Sequence, residues 1–188
     1  PFQQGVDMRE MAIDIDNREI GICFYDAAIE EQMVREQEIK RALTEIAADE
    51  SYSRLFLQYQ PIIELKTDVI IGFEALSRLN IDKLGLIPPL EFIPIAEKTK
   101  LIVPIGRRIM LQAFRFLKRL NDLGYSSIGV SINVSAIQIL RDDFTSSLFR
   151  MIEDARVHPE KICIEITESV VASNYEEMNR ILGKLSDS

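Results

Sequence analysis

The sequence predicts an α/β fold in which an antiparallel hairpin leads into parallel strands joined by helices, the arrangement of a β/α barrel. Three observations carry this expectation. Residues 55–64 and 69–79 read as strands, and Leu65-Lys66-Thr67-Asp68 between them is too short for a crossover helix, so the pair runs antiparallel. From residue 127 onward strand and helix alternate, which implies parallel strands with helical crossovers. Each strand has one apolar face and one face with polar groups toward its C-terminal half, as in a barrel covered by helices with its site at the strand ends.

At 188 residues and 47% hydrophobic content, the chain is long enough for one domain and an appendage. Residues 6–15 read as a short helix and 19–25 (EIGICFY) as a strand, too little for a domain. Residues 27–48 lack Gly and Pro and are rich in Glu, Arg, Gln and Ala, so they form a helix. Its narrow stripe of Ile29, Met33, Ile39, Leu43 and Ile46 suits packing on its own domain or, alternatively, a two-helix dimer seam. After the hairpin, Leu86-Ile87-Pro88-Pro89 leads into a helix near 90–98. Pro104 suits the first position of a longer helix that stops at Leu123-Gly124. A strand at 127–135, a helix near 142–156, a strand at 161–168 and a helix at 175–185 follow, with no internal repeat.

The net charge of −8 argues against a polymeric nucleic-acid partner, which calls for a basic face to displace counterions. It suits an acidic site for divalent cations equally with ordinary solubility. Cys23 and Cys163 are far apart and match no metal spacing. In a chain without a secretory signal, two such thiols point to the reducing cytoplasm. His158, in a loop before Pro159, reads as a surface residue. No apolar run approaches the ~20 residues of a membrane helix. The first residue is proline, so the chain is expected to be a piece of a longer protein.

The chemistry centres on Gly72-Phe73-Glu74-Ala75-Leu76-Ser77-Arg78. At period two, Glu74, Leu76 and Arg78 share a face. A carboxylate within such a strand is costly to bury unless compensated, and a cation is the usual compensation. The plain alternative is a strand end where Glu74 and Arg78 face water or each other. Three further strands favour the site. Ser131, Asn133 and Ser135 lie opposite Val130, Ile132 and Val134; Cys163, Glu165 and Thr167 lie opposite Ile162, Ile164 and Ile166; and Gln58 and Gln60 share a face. Glu74, Asn133 and Glu165 make an all-oxygen set, which favours Mg²⁺ or Mn²⁺ over zinc. Such an ion serves phosphate chemistry by neutralising charge and acidifying a water, while Arg78 grips a phosphate oxygen. Glu168, one step past Thr167 where strand gives way to loop, reads as an anchor for a neighbouring loop.

Tyr59-Gln60-Pro61-Ile62, Phe73-Glu74-Ala75-Leu76-Ser77-Arg78, 89–97 (PLEFIPIAE), 102–106 (IVPIG), 130–135 (VSINVS) with Gln138, and Glu165-Ile166-Thr167-Glu168 stand in a specific order. In that order and context they resemble the EAL domain, a family of bacterial cyclic-di-GMP phosphodiesterases. The resemblance implies a (β/α)8 barrel of TIM type with an antiparallel first strand, of which this chain holds only about the first half. Carried over by position, Glu74, Asn133 and Glu165 are metal ligands for Mg²⁺ or Mn²⁺. Gln60, Leu76 and Arg78 contact the substrate, and Glu168 holds the catalytic loop, so that Glu74, Glu165 and Glu168 form the catalytic set. The implied reaction is hydrolysis of one phosphodiester of cyclic-di-GMP to pGpG. Residues 1–26 more weakly resemble the end of a GGDEF domain, with 27–50 as its linker helix and 51–188 as the N-terminal portion of the EAL domain. The GGDEF signature itself is absent from this sequence, so no cyclase activity follows.

Two departures stand out. Leu79 occupies a position where the family usually has tryptophan, which is expected to alter base or neighbour packing. The sequence also stops at Ser188, before the family's Asp-Asp-Phe-Gly motif and catalytic lysine. Asp142-Asp143-Phe144 is not that motif: it precedes Glu165, lacks the glycines and fits a capped helix start. This chain alone is therefore expected to be inactive, although the resemblance implies that its parent is a phosphodiesterase. A non-catalytic cyclic-di-GMP sensor is the alternative, and a dimerising scaffold is a third. A homodimer would form through the linker helix or the open barrel edge. The parent is expected in the cytoplasm, free or tethered by segments outside this chain.

Overall fold

The computed structural model describes residues 27–48, 54–166 and 183. It divides into two compact units, Pro1–Glu38 and Ile39–Ser188. The described part of the first unit is the start of helix α1 (Ala27–Ala48), where Met33 and Val34 are exposed. In the second unit, Ile39, Leu43 and Ile46 of the same helix are fully buried in the hydrophobic core. These three stripe residues pack on their own domain and are unavailable to a dimer seam. The expected helix at 6–15 and strand at 19–25 lie outside the described residues. So do Thr167, Glu168 and, apart from helical Gly183, the expected helix at 175–185.

Strands β1 (Leu55–Glu64) and β2 (Val69–Ile81) form the antiparallel hairpin. Its turn is closed by the Thr67 and Asp68 amides, which donate to the Glu64 carbonyl at 3.3 and 2.9 Å. A three-residue strand, β3 (Gly85–Ile87), then returns antiparallel to the end of β2. Leu86-Ile87, expected from the sequence as an approach to a helix, thus belongs to a strand. Gly85 has φ +72°, a left-handed conformation suited to glycine, and lets the chain fold back at that point. Helices α2 (Pro89–Lys98) and α3 (Ile102–Asp122) follow, then β4 (Gly129–Asn133), a four-residue α4 (Ala136–Ile139), α5 (Phe144–Ala155) and β5 (Ile162–Glu165). The sheet order is β1-β2-β4-β5, with β2–β4 and β4–β5 parallel, as alternation of strand and helix demands.

Two local expectations need correction. Pro104 is the third residue of α3, so Ile102 and Val103 precede it at the helix start, after Leu101 at the N-cap. Pro is tolerated there because the first-turn N–H groups have no intrahelical acceptor. Asp143 stands at the N-cap of α5, but its side chain makes no capping bond. Its carboxylate instead accepts from Arg141 Nε and Nη2 at 2.8 and 3.0 Å. That hydrogen bond, aided by the guanidinium charge, holds the Asp143 carboxyl below its ordinary range.

The apolar face of the sheet is covered by α3, whose Ile105, Ala113, Phe114 and Leu117 are fully buried. Phe116 stacks on Tyr59 of β1 with ring centroids 3.6 Å apart and meets Phe73 of β2 edge-on at 5.4 Å. Gln112 ties the same helix to β1 by donating from Nε2 to the Leu55 carbonyl at 3.1 Å. Burial pushes the Tyr59 phenol up to about 12 from 10.0. A raised pKa means that the folded state holds the proton more tightly. The associated stability is whole below pH 10 and is lost as pH rises through about 12. Across that window the melting temperature of the wild type is expected to fall further than that of Tyr59→Phe. Parallel curves would show that the phenol does not respond to burial against α3.

Candidate active site

Register decides which side chains meet. Gln60 lies directly opposite Glu74, and Glu74 is in register with Ser131, which pairs with Cys163. One step toward the strand ends, Gln58 lies opposite Leu76, and Asn133 is in register with Glu165. Phe56 and Arg78 form the next pair. Period-two alternation puts all of these on the face away from α3, while Ala75, Val130 and Ile132 are buried beneath the helices.

Contacts within this face are specific. Asn133 Nδ2 donates to Glu74 Oε1 at 2.8 Å. The amide nitrogen is thereby directed at Glu74, and Asn133 Oδ1 remains as a third oxygen donor beside two carboxylates. Glu74 and Glu165 are half-buried, whereas Asn133 and Gln60 are exposed. Two carboxylates and an amide on adjacent strands fit a hard divalent cation. Among the described residues no group of three His, Cys, Asp or Glu gathers for a metal. Arg78 is held by its own neighbours: Nε donates to Gln58 Oε1 at 2.8 Å and Nη1 to the Ser77 carbonyl at 2.9 Å. Gln58 is therefore a residue that sequence reading left without a role. Its shared parity with Gln60 was the available signal.

Leu79 belongs elsewhere. It is fully buried on the opposite face from Arg78 and pairs with Ile87 of β3. The departure at this position is thus a matter of core packing, and no base placed on the polar face would touch it.

A cavity of about 210 Å³ opens beside the ends of β4 and β5, lined by Leu76, Pro89, Glu97, Asn133, Ser135 and Glu165 among others. Ser135 caps α4 in a capping box with Gln138, and its Oγ donates to Glu97 Oε1 at 2.5 Å. Neither Ser135 nor Glu97 had an assigned role from sequence, although Ser135-Ala136-Ile137-Gln138 carries the capping-box spacing. Glu168 lies outside the described residues.

Comparison with known proteins fits this arrangement. Residues 36–188 match the model of the EAL domain. MucR of Pseudomonas aeruginosa, a bifunctional diguanylate cyclase/cyclic di-GMP phosphodiesterase, is 30% identical over 170 residues, covering 88% of this chain and 24% of its own length. The cyclic di-GMP phosphodiesterase PdeR of Escherichia coli is 35% identical over 123 residues, or 65% of this chain and 18% of its own length. The chain therefore spans about a quarter or less of these curated relatives. A solved complex of the PaMucR phosphodiesterase with c-di-GMP superposes with a TM-score of 0.72 at 30% identity, covering 83% of this chain and 60% of that one. No helix among the described residues is long and apolar enough to cross a membrane. The match over most of its length, with the strand order and the polar strand ends behind it, places the chain in the EAL domain family.

Proposed function

We propose that this chain is part of a cyclic-di-GMP phosphodiesterase and supplies one side of its active site. The observation that carries the reading is the meeting of Glu74, Asn133 and Glu165 on one sheet face, with Arg78 four residues beyond Glu74 on that face. Gln60 and Leu76 border the same face and would contact the dinucleotide. Residues 1–26 would be the tail of a GGDEF domain, with α1 as the connection to the EAL domain, in a cytoplasmic protein.

Glu74, Asn133 and Glu165 would hold Mg²⁺ or Mn²⁺. A divalent cation there supplies neutralisation of phosphate charge and acidification of a nearby water. Arg78, preset by Gln58, binds a non-bridging phosphate oxygen through its remaining guanidinium donors. Gln60 and Leu76 orient the nucleotide so that one phosphodiester faces the carboxylates. Water adds to phosphorus, the bond to the 3′ oxygen breaks, and that oxygen leaves with a proton, so the product is pGpG. Glu168 would anchor the loop that closes over the reacting group.

The test uses the natural protein that carries this chain, mixed with cyclic-di-GMP and Mg²⁺ or Mn²⁺ and followed by mass spectrometry. Gain of the mass of one water, with the cleaved diester left as a terminal 5′ phosphate, is the expected outcome. Saturable binding without conversion would instead identify a sensor, and absence of both would overturn the assignment.

A further inference from the structure

We propose that Glu97 is a positioning residue for the metal ligands, acting through Ser135 and Gln138 to fix the chain immediately after Asn133. The proposal rests on the functional reading above and adds to it a residue from a helix that carries no ligand.

Asn133 is the last residue of β4, and its side chain is exposed. A short side chain at a strand end is placed only as well as the backbone that follows it. That backbone is pinned from both sides. The Val134 amide donates to the Glu165 carbonyl at 2.9 Å, which ties the ends of the two ligand-bearing strands together. One residue later, the Ser135 amide donates to Gln138 Oε1 at 3.3 Å, and Ser135 Oγ accepts from the Ile137 amide at 3.4 Å. The hydroxyl proton of Ser135 then goes to Glu97 Oε1.

Distant chain supports this turn at two points, Glu97 at Ser135 directly and Gly106 through Gln138. Glu97 stands near the end of α2, 38 residues before Ser135. Gln138 is only 4% exposed and lies against Gly106 of α3. A Cβ at residue 106 would come 1.9 Å from Gln138 Nε2 and 2.5 Å from its Cδ, so the glycine makes the space that the glutamine fills. A helix of four residues has little cooperativity of its own, and its start depends on such outside contacts. A half-buried carboxylate is a stronger acceptor for the Ser135 hydroxyl than a neutral group would be. Glu97 shares a cavity with Asn133 and Glu165, but its side-chain hydrogen bond is to Ser135, so its effect on the ligands is indirect: releasing Ser135 lets the turn shift and carries Asn133 with it. Residues that orient metal ligands in this way typically change metal affinity or activity about 10- to 100-fold when removed.

Mn²⁺ binding to the natural protein, measured without substrate by electron paramagnetic resonance, tests the proposal alongside kcat and KM. Glu97→Ala and Ser135→Ala are expected to weaken Mn²⁺ binding about 10-fold or more and to lower kcat, with KM for cyclic-di-GMP changed less than about twofold. Glu97→Gln keeps an oxygen acceptor for Ser135 and is expected to restore most of the affinity. Glu74→Gln serves as the control for the site itself. Normal Mn²⁺ binding by folded Glu97→Ala, with weakened binding by Glu74→Gln, would overturn the positioning role and leave the site assignment standing. Unchanged binding in both, or no Mn²⁺ binding by the wild type, would overturn both. Should Glu97→Ala fail to fold, Ser135→Ala and Glu97→Gln decide, and wild-type binding by Ser135→Ala counts against the proposal.

Discussion

Glu74→Gln, Asn133→Ala and Glu165→Gln, each made in the natural protein that carries this chain, are expected to lower metal-dependent hydrolysis of cyclic-di-GMP by roughly two orders of magnitude or more. Removing a residue that merely orients a ligand already reaches about 100-fold, so loss of a ligand falls at or beyond that limit. The two Glu→Gln changes conserve shape and remove only charge, which separates electrostatics from packing. In Glu74→Gln the amide oxygen still offers Asn133 an acceptor in place of the present 2.8 Å bond. Folding should survive all three, because Asn133 is exposed and both glutamates are only half-buried. Surface changes of this kind usually alter stability by about 0.5 kcal/mol or less. Turnover near the wild-type rate in all three variants, verified as folded by circular dichroism, would sink the metal assignment.

A polypeptide consisting of residues 1–188 alone is expected to form no pGpG. A closed barrel of this type takes about 250 residues. Among the described residues the sheet is open, with β1 and β5 each paired on one edge only. Ile62, Ile63, Val69, Ile70 and Ile71 of the hairpin are exposed by 37–56%, an apolar surface that a closed fold would cover. Unpaired strand edges also invite pairing with another chain. The chemistry is short as well as the fold. Two carboxylates and an amide fit one cation, and the resemblance described above implies an aspartate pair and a lysine that residues 1–188 do not supply. The assay is incubation of the purified polypeptide, its end at Ser188 verified by mass, with cyclic-di-GMP and Mg²⁺ or Mn²⁺. Steady accumulation of pGpG would refute the expectation.

Strand parity was legible in the sequence because side chains alternate with a period of two and a helix-covered face must be apolar. Val130, Ile132 and Ala75 thus announced the buried face, and Glu74, Asn133 and Glu165 had to share the other. The hairpin was legible from the length of its turn alone. The capping box of α4 is written in the spacing of Ser135 and Gln138, but a helix of four residues shows no periodicity to mark it. β3 was not legible, since three residues show no period. Asp143 had the right type and position for a cap, but Arg141 two residues away offered its carboxylate a charged partner.

What the sequence alone determined is which residues share a face, because that follows from local backbone geometry. Which residues touch across elements was decided only by tertiary structure. Arg78 with Gln58, Gly106 with Gln138, and Glu97 with Ser135 join segments that lie far apart in the chain. Leu79 shows the same limit from the other side: its neighbour Arg78 is at the site, while the pleat and the return of β3 bury Leu79 in the core. Local alternation orients a side chain, but its partner is set by the register and packing of elements whose relative placement no single segment encodes.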